Sequence, residues 1–338
     1  MRILVDGQLT RPVQTHQGVR QGDPLSPILF AIFIDSLVEM LEKEGEGLVF
    51  QHGELRRALH ALLYADDVVI MAESADDLRV MLRTVHAFCS KWRIEINTKK
   101  SQVMEVHPRG HKQGRKQVYP YGEKELDVVK HYKYLGMVFS DNMSWESHIA
   151  RVVAKGRNKN VELSRLMSLR VLPFKAKQLL WDSLARSGSE YGSEVWTANS
   201  KQENAIESLQ HQATVKMLRL RACSSKEAAR GIAGTLSART RRLAKKLNYR
   251  AKLLSMGEDR WPRIITSLPV PTATVSGLPS LVWTQQTADI IDTDDELRAH
   301  YRKLKKLEET RRLAGASKAD SEEDEKALKQ ARGRWTQR

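Results

Sequence analysis

Apolar side chains recur every three to four positions in two segments of the first hundred residues, which is the period of an amphipathic helix. The first segment begins at Ser26, the predicted N-cap before Pro27, and ends where Gly45 breaks the pattern. The second runs from Ser74, the predicted N-cap, to about Trp92. One broad face of the first predicted helix carries Leu29, Ile32, Phe33, Leu37, Met40 and Leu41.

Other segments alternate or concentrate β-branched residues, which is typical of strands. Two apolar runs, 59–64 and 68–71, flank Ala65-Asp66-Asp67 and predict a strand–turn–strand hairpin. A strand is predicted just after Trp92, and a strand or hairpin at 132–140. Asp6-Gly7 predicts a hairpin near the start of the sequence.

The second half of the chain has a different pattern. Helical periodicity and basic residues continue from Trp145 to about Met256, with breaks near Pro173 and at 188–192. Residues 262–284 have no period and read as a linker, and the charge-mixed end of the chain predicts an exposed helix or a disordered tail. The pattern therefore predicts an α+β fold with three regions, 1–143, 144–258 and 259–338.

Composition narrows the possible classes of protein. The 338 residues contain two cysteines, Cys89 and Cys223, which excludes a disulfide framework and a cysteine-based zinc module in this sequence. No apolar run approaches the roughly 20 residues of a membrane span, and no secretory leader is recognisable, so we expect an intracellular protein of the nucleus or cytoplasm. The net charge of +15 fits a nucleic-acid partner or simply a soluble basic protein.

The acidic pair between the two apolar runs is the candidate for chemistry. Asp66 and Asp67 fit a solvent-exposed turn, in which aspartate favours the bend. They equally fit a divalent-metal site, because Mg²⁺ prefers carboxylate oxygens and keeps waters for phosphate groups. Two such ions about 3.5–4 Å apart activate an attacking hydroxyl and stabilise a leaving pyrophosphate.

Four segments in order resemble the palm of reverse transcriptases. They are 18–27 (GVRQGDPLSP), 64–67 (YADD), 97–101 (NTKKS) and 134–136 (YLG). The likeness is greatest to polymerases of non-LTR (LINE-type) retrotransposons, and it continues through Leu172-Pro173 and the 191–196 segment YGSEVW to about residue 220. The resemblance implies a partial right-hand palm, an antiparallel sheet with packed helices, followed by a mainly helical thumb and extension.

The resemblance also implies roles for single residues. Asp66 and Asp67 would hold catalytic Mg²⁺ or Mn²⁺, two ions in a complete site. The other implied site residues are Arg20, Gln21, Gly22, Tyr64 and Ala65 at the nucleotide and template, Lys100 at the leaving pyrophosphate, and Tyr134, Leu135 and Gly136 as the primer grip. Arg20 alternatively only supports its loop, Lys100 is alternatively a solvated lysine, and 134–136 alternatively an ordinary buried strand.

The implied activity is RNA-directed DNA polymerisation with an RNA template, a DNA primer and deoxynucleoside triphosphates; no membrane partner is expected, and the oligomeric state is left open. The family's further palm aspartate is not recognisable upstream of residue 18, since Asp6 lies in a predicted turn and Asp35 in a predicted helix. We therefore expect a C-terminal part of a reverse transcriptase that does not polymerise alone. Alternatives are a non-catalytic RNA/DNA-binding remnant and an intron maturase-like protein.

Two basic runs, 151–157 and 239–246, place cations on predicted helices of the thumb region. Such helices can follow a phosphate backbone without reading sequence, although a solvated basic face is an equal alternative. Aromatic residues of this region, Trp181, Tyr191 and Trp196, are predicted to lie in the core rather than to stack on bases. Both cysteines are predicted to be unreactive packing residues.

Overall fold

The computed structural model describes residues 4–11, 18–52, 55–107 and 117–267. Most of the predicted linker and tail therefore lies outside the described residues. The described residues fall into two compact units, one within Met1–Val103 and Gln113–Val128 and the other within Met104–Lys112 and Val129–Arg338. The α+β class predicted from the sequence is confirmed. The domain boundaries at 143 and 258 remain predictions. The hairpin just before residue 143 belongs to the second compact unit, together with the helices that follow it.

The first unit combines hairpins with two long helices. In chain order its elements are β1 (Leu4–Val5), β2 (Gln8–Leu9), α1 (Ser26–Glu44), β3 (Leu48–His52), β4 (Leu55–Leu59), β5 (Ala61–Tyr64), β6 (Asp67–Ile70), α2 (Ala75–Trp92), β7 (Gln102–Val103), β8 (Pro120–Tyr121), β9 (Lys124–Glu125) and β10 (Asp127–Val128). Neighbouring strands pair antiparallel in β1–β2, β3–β4, β5–β6 and β8–β9, whereas β7 pairs parallel with β10. Among the described residues these are separate two-stranded pairs rather than one continuous sheet.

The core of this unit lies between α1 and α2. Its buried side chains are Leu37, Leu41, Met81, Val85, Phe88 and Cys89. Helix α2 begins as predicted, because the Ser74 hydroxyl accepts a hydrogen bond from the Asp77 amide at 3.1 Å. The Asp77 carboxylate itself accepts from the amides of Glu46 and Gly47, at 2.9 and 3.0 Å, so it ties the end of α1 to the start of α2.

Three features of the first unit do not follow from the sequence pattern, and one of them, the segment after Trp92, contradicts a predicted strand. The first half of α1 does not bury its apolar face, since Leu29 is 48% and Ile32 68% exposed. The segment after Trp92 is not a strand, because 94–97 pairs with no described strand and the chain pairs only from Gln102. The β3–β4 hairpin was not predicted, because β4 (LRRAL) lacks a clear alternation of polar and apolar residues.

The second unit is a β-hairpin packed on helices. Its elements are β11 (His131–Tyr134), β12 (Met137–Ser140), α3 (Glu146–Glu162), α4 (Ser164–Ser168), α5 (Phe174–Trp181), a π-helical turn (Asp182–Arg186), α6 (Ser187–Ser189), α7 (Ser200–Leu218), α8 (Lys226–Ala233), α9 (Ala238–Leu254) and α10 (Trp261–Ser267). The predicted hairpin at 132–140 and the helical character from Trp145 are confirmed. No helix of the described residues is long and apolar enough to cross a membrane.

Two apolar clusters hold these helices together. One surrounds Trp181, whose indole N–H donates to Asn160 Oδ1 at 2.8 Å. The other surrounds Trp196, which is 1% exposed and packs with Ile149 and Ile206. The prediction that both tryptophans lie in the core is confirmed, because both indoles are almost completely removed from water.

Candidate functional site

The acidic pair lies on a short turn between β5 and β6. Tyr64 pairs with Asp67 across the hairpin, and Ala65 and Asp66 form the turn between them. Ala65 has a φ of +53°, in the left-handed region that side chains other than glycine seldom adopt. All four residues are exposed, so the turn presents its carboxylates to solvent.

The two faces of this hairpin differ. Paired residues point to the same side of an antiparallel ladder, so Ala61 and Ile70 share one face and Tyr64 and Asp67 share the other. The face with Ala61 and Ile70 packs against the α1–α2 core. The Tyr64 side chain, by contrast, is 62% exposed. A packed core therefore supports the hairpin from one side and leaves Asp67 accessible on the other.

The glycine-rich segment before α1 is an exposed loop whose backbone is internally tied. The Arg20 carbonyl accepts from the Ser26 hydroxyl at 2.6 Å, and Asp23 Oδ1 accepts from the Leu25 amide at 2.9 Å. Ser26 is therefore the first helical residue with its hydroxyl turned to the loop, not the capping side chain we predicted. Gly22 has a φ of +82°, a conformation that favours glycine.

The remaining residues implied by the resemblance lie on two separate turns. Lys100 is exposed in the first unit, where the Asn97 carbonyl accepts from the amides of Lys100 and Ser101. In the second unit Leu135 and Gly136 connect β11 with β12, and Leu135 is 39% exposed. The tip of this hairpin is therefore accessible, which disfavours the alternative of an ordinary buried strand.

The chemistry of the acidic turn suits a hard cation. Asp66 and Asp67 offer exposed carboxylate oxygens, the ligands that Mg²⁺ and Mn²⁺ prefer, and solvent access lets such an ion keep waters. Among the described residues, no three or more histidine, cysteine, aspartate or glutamate side chains come together as a metal cluster. The donor set of the described chain at this hairpin is thus a pair of carboxylates.

The two basic runs of the second unit differ in their surroundings. On α3, the side chains of Arg151, Lys155 and Arg157 are exposed. On α9, by contrast, three cations of the basic run meet carboxylates of the same unit: Arg241 and the exposed Lys245 bind Glu190, and Arg242 binds Glu203. Lys246 is buried, and burial, together with the neighbouring Arg242, lowers its pKa to about 8.

Two expectations about single residues are wrong. Tyr191 is 55% exposed rather than buried, and its hydroxyl binds the Leu135 carbonyl. Cys223 is exposed, so it is not a packing residue, whereas Cys89 is buried and burial raises the pKa of its thiol. The exposed position of Tyr191 was not predictable from the local sequence, although the adjacent Gly192 indicated a break in the helix.

Comparison with known proteins agrees with the resemblance. Residues 2–139 match the family model described as reverse transcriptase (RNA-dependent DNA polymerase). This range contains every site residue that the resemblance implied, from Arg20 to Gly136.

Relatives of the chain are retrotransposon proteins. The Pol polyprotein of the type-1 retrotransposable element R2 of Nasonia vitripennis is 31% identical over 145 residues, which cover 41% of this chain and 13% of that protein. The corresponding R2 polyprotein of Popillia japonica is 30% identical over 143 residues, 41% of this chain and 23% of that protein. The probable RNA-directed DNA polymerase from transposon BS of Drosophila melanogaster is 25% identical over 222 residues, 62% of this chain and 23% of that protein.

The chain thus spans less than a quarter of the length of these three relatives. The matched part contains the acidic hairpin, the loop before α1 and the hairpin of the second unit. These matches support a reverse transcriptase domain of the non-LTR retrotransposon type over residues 2–139.

Proposed function

We propose that this chain supplies the metal-binding hairpin of an RNA-directed DNA polymerase, with Asp66 and Asp67 as ligands of Mg²⁺ or Mn²⁺. The observation that carries the proposal is the β5–β6 hairpin, whose one face packs on the α1–α2 core while its turn presents both carboxylates to solvent. A turn held from one side in this way positions oxygen ligands without closing access for a nucleotide and a primer.

The divalent ions would supply activation of the primer 3′ hydroxyl and stabilisation of the leaving pyrophosphate, two ions acting in a complete site. The chain's own residues would bind and orient the reactants around them. Tyr64 and Ala65 would lie against the primer–template duplex, and the exposed loop at 20–22 would line the nucleotide and template. Lys100 would stabilise negative charge on the pyrophosphate as it leaves.

Two carboxylates are a small donor set for two ions. Each Mg²⁺ requires near-octahedral oxygen coordination, and the described residues bring no third acidic side chain to Asp66 and Asp67. We therefore propose that a further carboxylate from outside the described residues completes the site, and that residues 1–338 by themselves do not extend a primer.

A metal-binding measurement and a primer-extension assay test these two statements separately. Electron paramagnetic resonance of Mn²⁺ should show binding that Asp66→Asn weakens at least tenfold, whereas Asp76→Asn, which removes another exposed carboxylate of the same unit, should leave it unchanged. Mn²⁺ binding that is insensitive to Asp66→Asn would refute the metal site. Template-dependent and Asp66-dependent extension of a DNA primer by the purified chain would refute the proposal that residues 1–338 by themselves do not extend a primer.

A second candidate function is binding of RNA or DNA without catalysis. The exposed cations of α3 favour it, because Arg151, Lys155 and Arg157 can neutralise backbone phosphates. Binding of this kind falls steeply with salt concentration and survives Asp66→Asn in the absence of divalent ions. A polymerase site, by contrast, predicts that Mg²⁺ and a matched nucleotide strengthen binding of a primer–template in the wild type but not in Asp66→Asn.

A further inference from the structure

The turn between β11 and β12 places a leucine in the left-handed backbone region, which bulky side chains seldom adopt. Tyr134 pairs with Met137, so the connection consists of Leu135 and Gly136 alone. Both residues have positive φ, +46° and +84°, which matches the twist of a two-residue hairpin. Leu135 adopts this conformation at a cost of about 1 kcal/mol, since its Cβ crowds the backbone there. Such a turn needs outside support to keep a single conformation.

Tyr191 supplies that support from a distant part of the same unit. Its hydroxyl donates a hydrogen bond to the Leu135 carbonyl oxygen at 3.0 Å. Its ring covers Gly136 so closely that a Cβ on Gly136 would lie 3.1 Å from Tyr191 Cε1. The hydroxyl and the ring of one side chain therefore contact both residues of the turn.

The backbone of Tyr191 and its neighbour is itself held by buried residues. The indole N–H of Trp196 donates to the Tyr191 carbonyl oxygen at 3.0 Å, and Trp196 is 1% exposed. The next residue, Gly192, has a φ of +65° and lies against β12, since a Cβ there would come within 2.9 Å of Met137 Sδ. The backbone at 191–192 is thus held between the tryptophan core and the hairpin.

A second tie connects the hairpin with the same core. The Val138 amide donates to His148 Nδ1 at 3.2 Å, and the His148 ring packs edge-on against Trp196 with centroids 5.9 Å apart. Trp196 therefore contacts both residues that hold the hairpin: His148, which binds its strand β12, and Tyr191, which binds its turn. Of these two supports only Tyr191, at the tip, is exposed, with 55% of the residue's surface accessible.

We propose that Tyr191 is a positioning residue that holds the Leu135–Gly136 turn in the shape that receives the recessed 3′ end of a DNA primer paired with an RNA template. This inference rests on the proposed polymerase function and on the primer-grip role that the family resemblance implies for residues 134–136. A role in the apolar core does not explain why Tyr191 is half exposed and why its hydroxyl donates to the carbonyl of an exposed turn. A role in shaping an accessible surface explains both its exposure and its hydrogen bond.

The test uses the full chain and the substitution Tyr191→Phe, which keeps the ring and removes the hydroxyl. The probe is a DNA primer with 2-aminopurine at its 3′ end, annealed to a longer RNA template, and the comparison substrate is a blunt hybrid of the same length. The wild type should bind the recessed end more tightly than the blunt one. Tyr191→Phe should weaken recessed-end binding by roughly threefold to tenfold, as one lost hydrogen bond implies, and blunt-end binding by less than about twofold.

Two further variants complete the test. Gly136→Ala places a Cβ against the Tyr191 ring and strains a positive φ, so it should reproduce the selective loss. Tyr132→Phe is the matched control. Tyr132 lies in the same hairpin, and among the described residues its hydroxyl makes no hydrogen bond. This variant should bind both substrates as the wild type does, and circular dichroism should show that all three variants are folded.

Three outcomes would overturn the inference. A wild-type preference for the recessed end that Tyr191→Phe leaves within twofold would refute the role of Tyr191 but not the primer-grip role of residues 134–136. Equal weakening of recessed and blunt substrates would show that Tyr191 only stabilises the fold. A wild type that binds both substrates equally would refute the primer-grip role of residues 134–136, and the inference with it; the Mn²⁺ measurement tests the metal site separately.

Discussion

Arg241 donates a hydrogen bond from Nη2 to Oε1 of Glu190 at 2.6 Å, and the Glu190 side chain is 3% exposed. Lys245 Nζ lies 3.2 Å from the other oxygen of the same carboxylate. Burial by itself raises the pKa of Glu190, but the charges and hydrogen bonds of Arg241 and Lys245 together bring that pKa below its ordinary value. A buried, ionised carboxylate therefore fastens α9 to the end of α6.

Glu190→Gln should lower the free energy of unfolding by about 3 kcal/mol at pH 7, because Arg241 and Lys245 then lie together without their buried countercharge. Urea denaturation followed by tryptophan fluorescence measures this change. The control is Glu162→Gln, which breaks the exposed pair with Lys159 at 2.5 Å and should cost less than about 1 kcal/mol. Equal losses in the two variants would contradict a special contribution from Glu190.

The pH dependence of the same pair follows from the lowered pKa of Glu190. A carboxylate whose native pKa is lowered stabilises the fold above its unfolded pKa, and that stabilisation disappears as the pH falls through the native value. The stability difference between the wild type and Glu190→Gln should thus be constant at neutral pH and should shrink below the ordinary pKa of 4.5. Urea midpoints at pH 7, 5 and 3.5 test this; an unchanged difference at pH 3.5 would contradict it.

Glycine-to-alanine substitutions in two helices of this unit should have opposite signs. A Cβ at Gly156 of α3 would lie 2.6 Å from Cδ1 of buried Leu209, whereas no atom lies within 4 Å of a Cβ at Gly231 of α8. Gly156→Ala should destabilise by roughly 1–2 kcal/mol, since the overlap exceeds the gain in helix propensity. Gly231→Ala should stabilise by about 1 kcal/mol. Thermal melts compare the two, and the same sign for both would disprove the argument.

The sequence predicted those helices and hairpins whose ends depend on residues close to one another in the chain. The β5–β6 hairpin and the ends of α2 follow from periods and caps within about twenty residues, and the structure confirms them. The acidic turn was identifiable for the same reason, because two adjacent aspartates between apolar runs are conspicuous in the sequence.

Long-range contacts account for the errors. The pattern places Ile32 on the apolar face of α1, yet Ile32 is exposed, because helical periodicity shows which residues share a face but not how far a neighbouring element covers it. Tyr191 binds Leu135 across 56 residues, and Arg241 binds Glu190 across 51, so neither contact leaves a local signal. For this reason the sequence offered phosphates or solvent as partners for the basic residues of α9, and not Glu190 and Glu203.

Asp77 should be important for the first unit because of what its carboxylate binds. It accepts hydrogen bonds from the backbone amides of Glu46 and Gly47, which lie just beyond the end of α1. Asp77→Ala should therefore cost about 2 kcal/mol in stability, from two charge-assisted hydrogen bonds. The neighbouring Asp76, whose side chain is 93% exposed, provides the control, and Asp76→Ala should cost well under 1 kcal/mol. Amide hydrogen exchange at Glu46 and Gly47 should accelerate in Asp77→Ala alone; unchanged exchange there would rule out the tie.

His148 should make the second unit sensitive to mild acid. Burial, together with the charge of Arg151, lowers its pKa below the ordinary 6.5, and its Nδ1 must be unprotonated to accept from the Val138 amide. Because the unfolded chain then binds a proton more readily than the native one, stability should fall as the pH drops below 6.5 and level off below the native pKa. His148→Asn keeps an acceptor but does not titrate, so its stability should vary less than that of the wild type between pH 7.5 and 5.5. Replacement of the exposed His131 by Asn controls for loss of an imidazole and should retain the wild-type slope.

The exposed cations of α3 should account for part of the salt dependence of nucleic-acid binding. Each phosphate contact contributes a slope of about −0.9 in a plot of log K against log salt for duplex DNA, so the triple variant Arg151→Gln, Lys155→Gln, Arg157→Gln should lose about two to three units of slope. Fluorescence anisotropy with a labelled duplex between 50 and 200 mM salt measures this. Lys159→Gln, on the same helix but paired with Glu162, should change the slope by less than one unit. A slope that the triple variant leaves unchanged would place the phosphate contacts on another surface and would leave α3 with a solvated basic face.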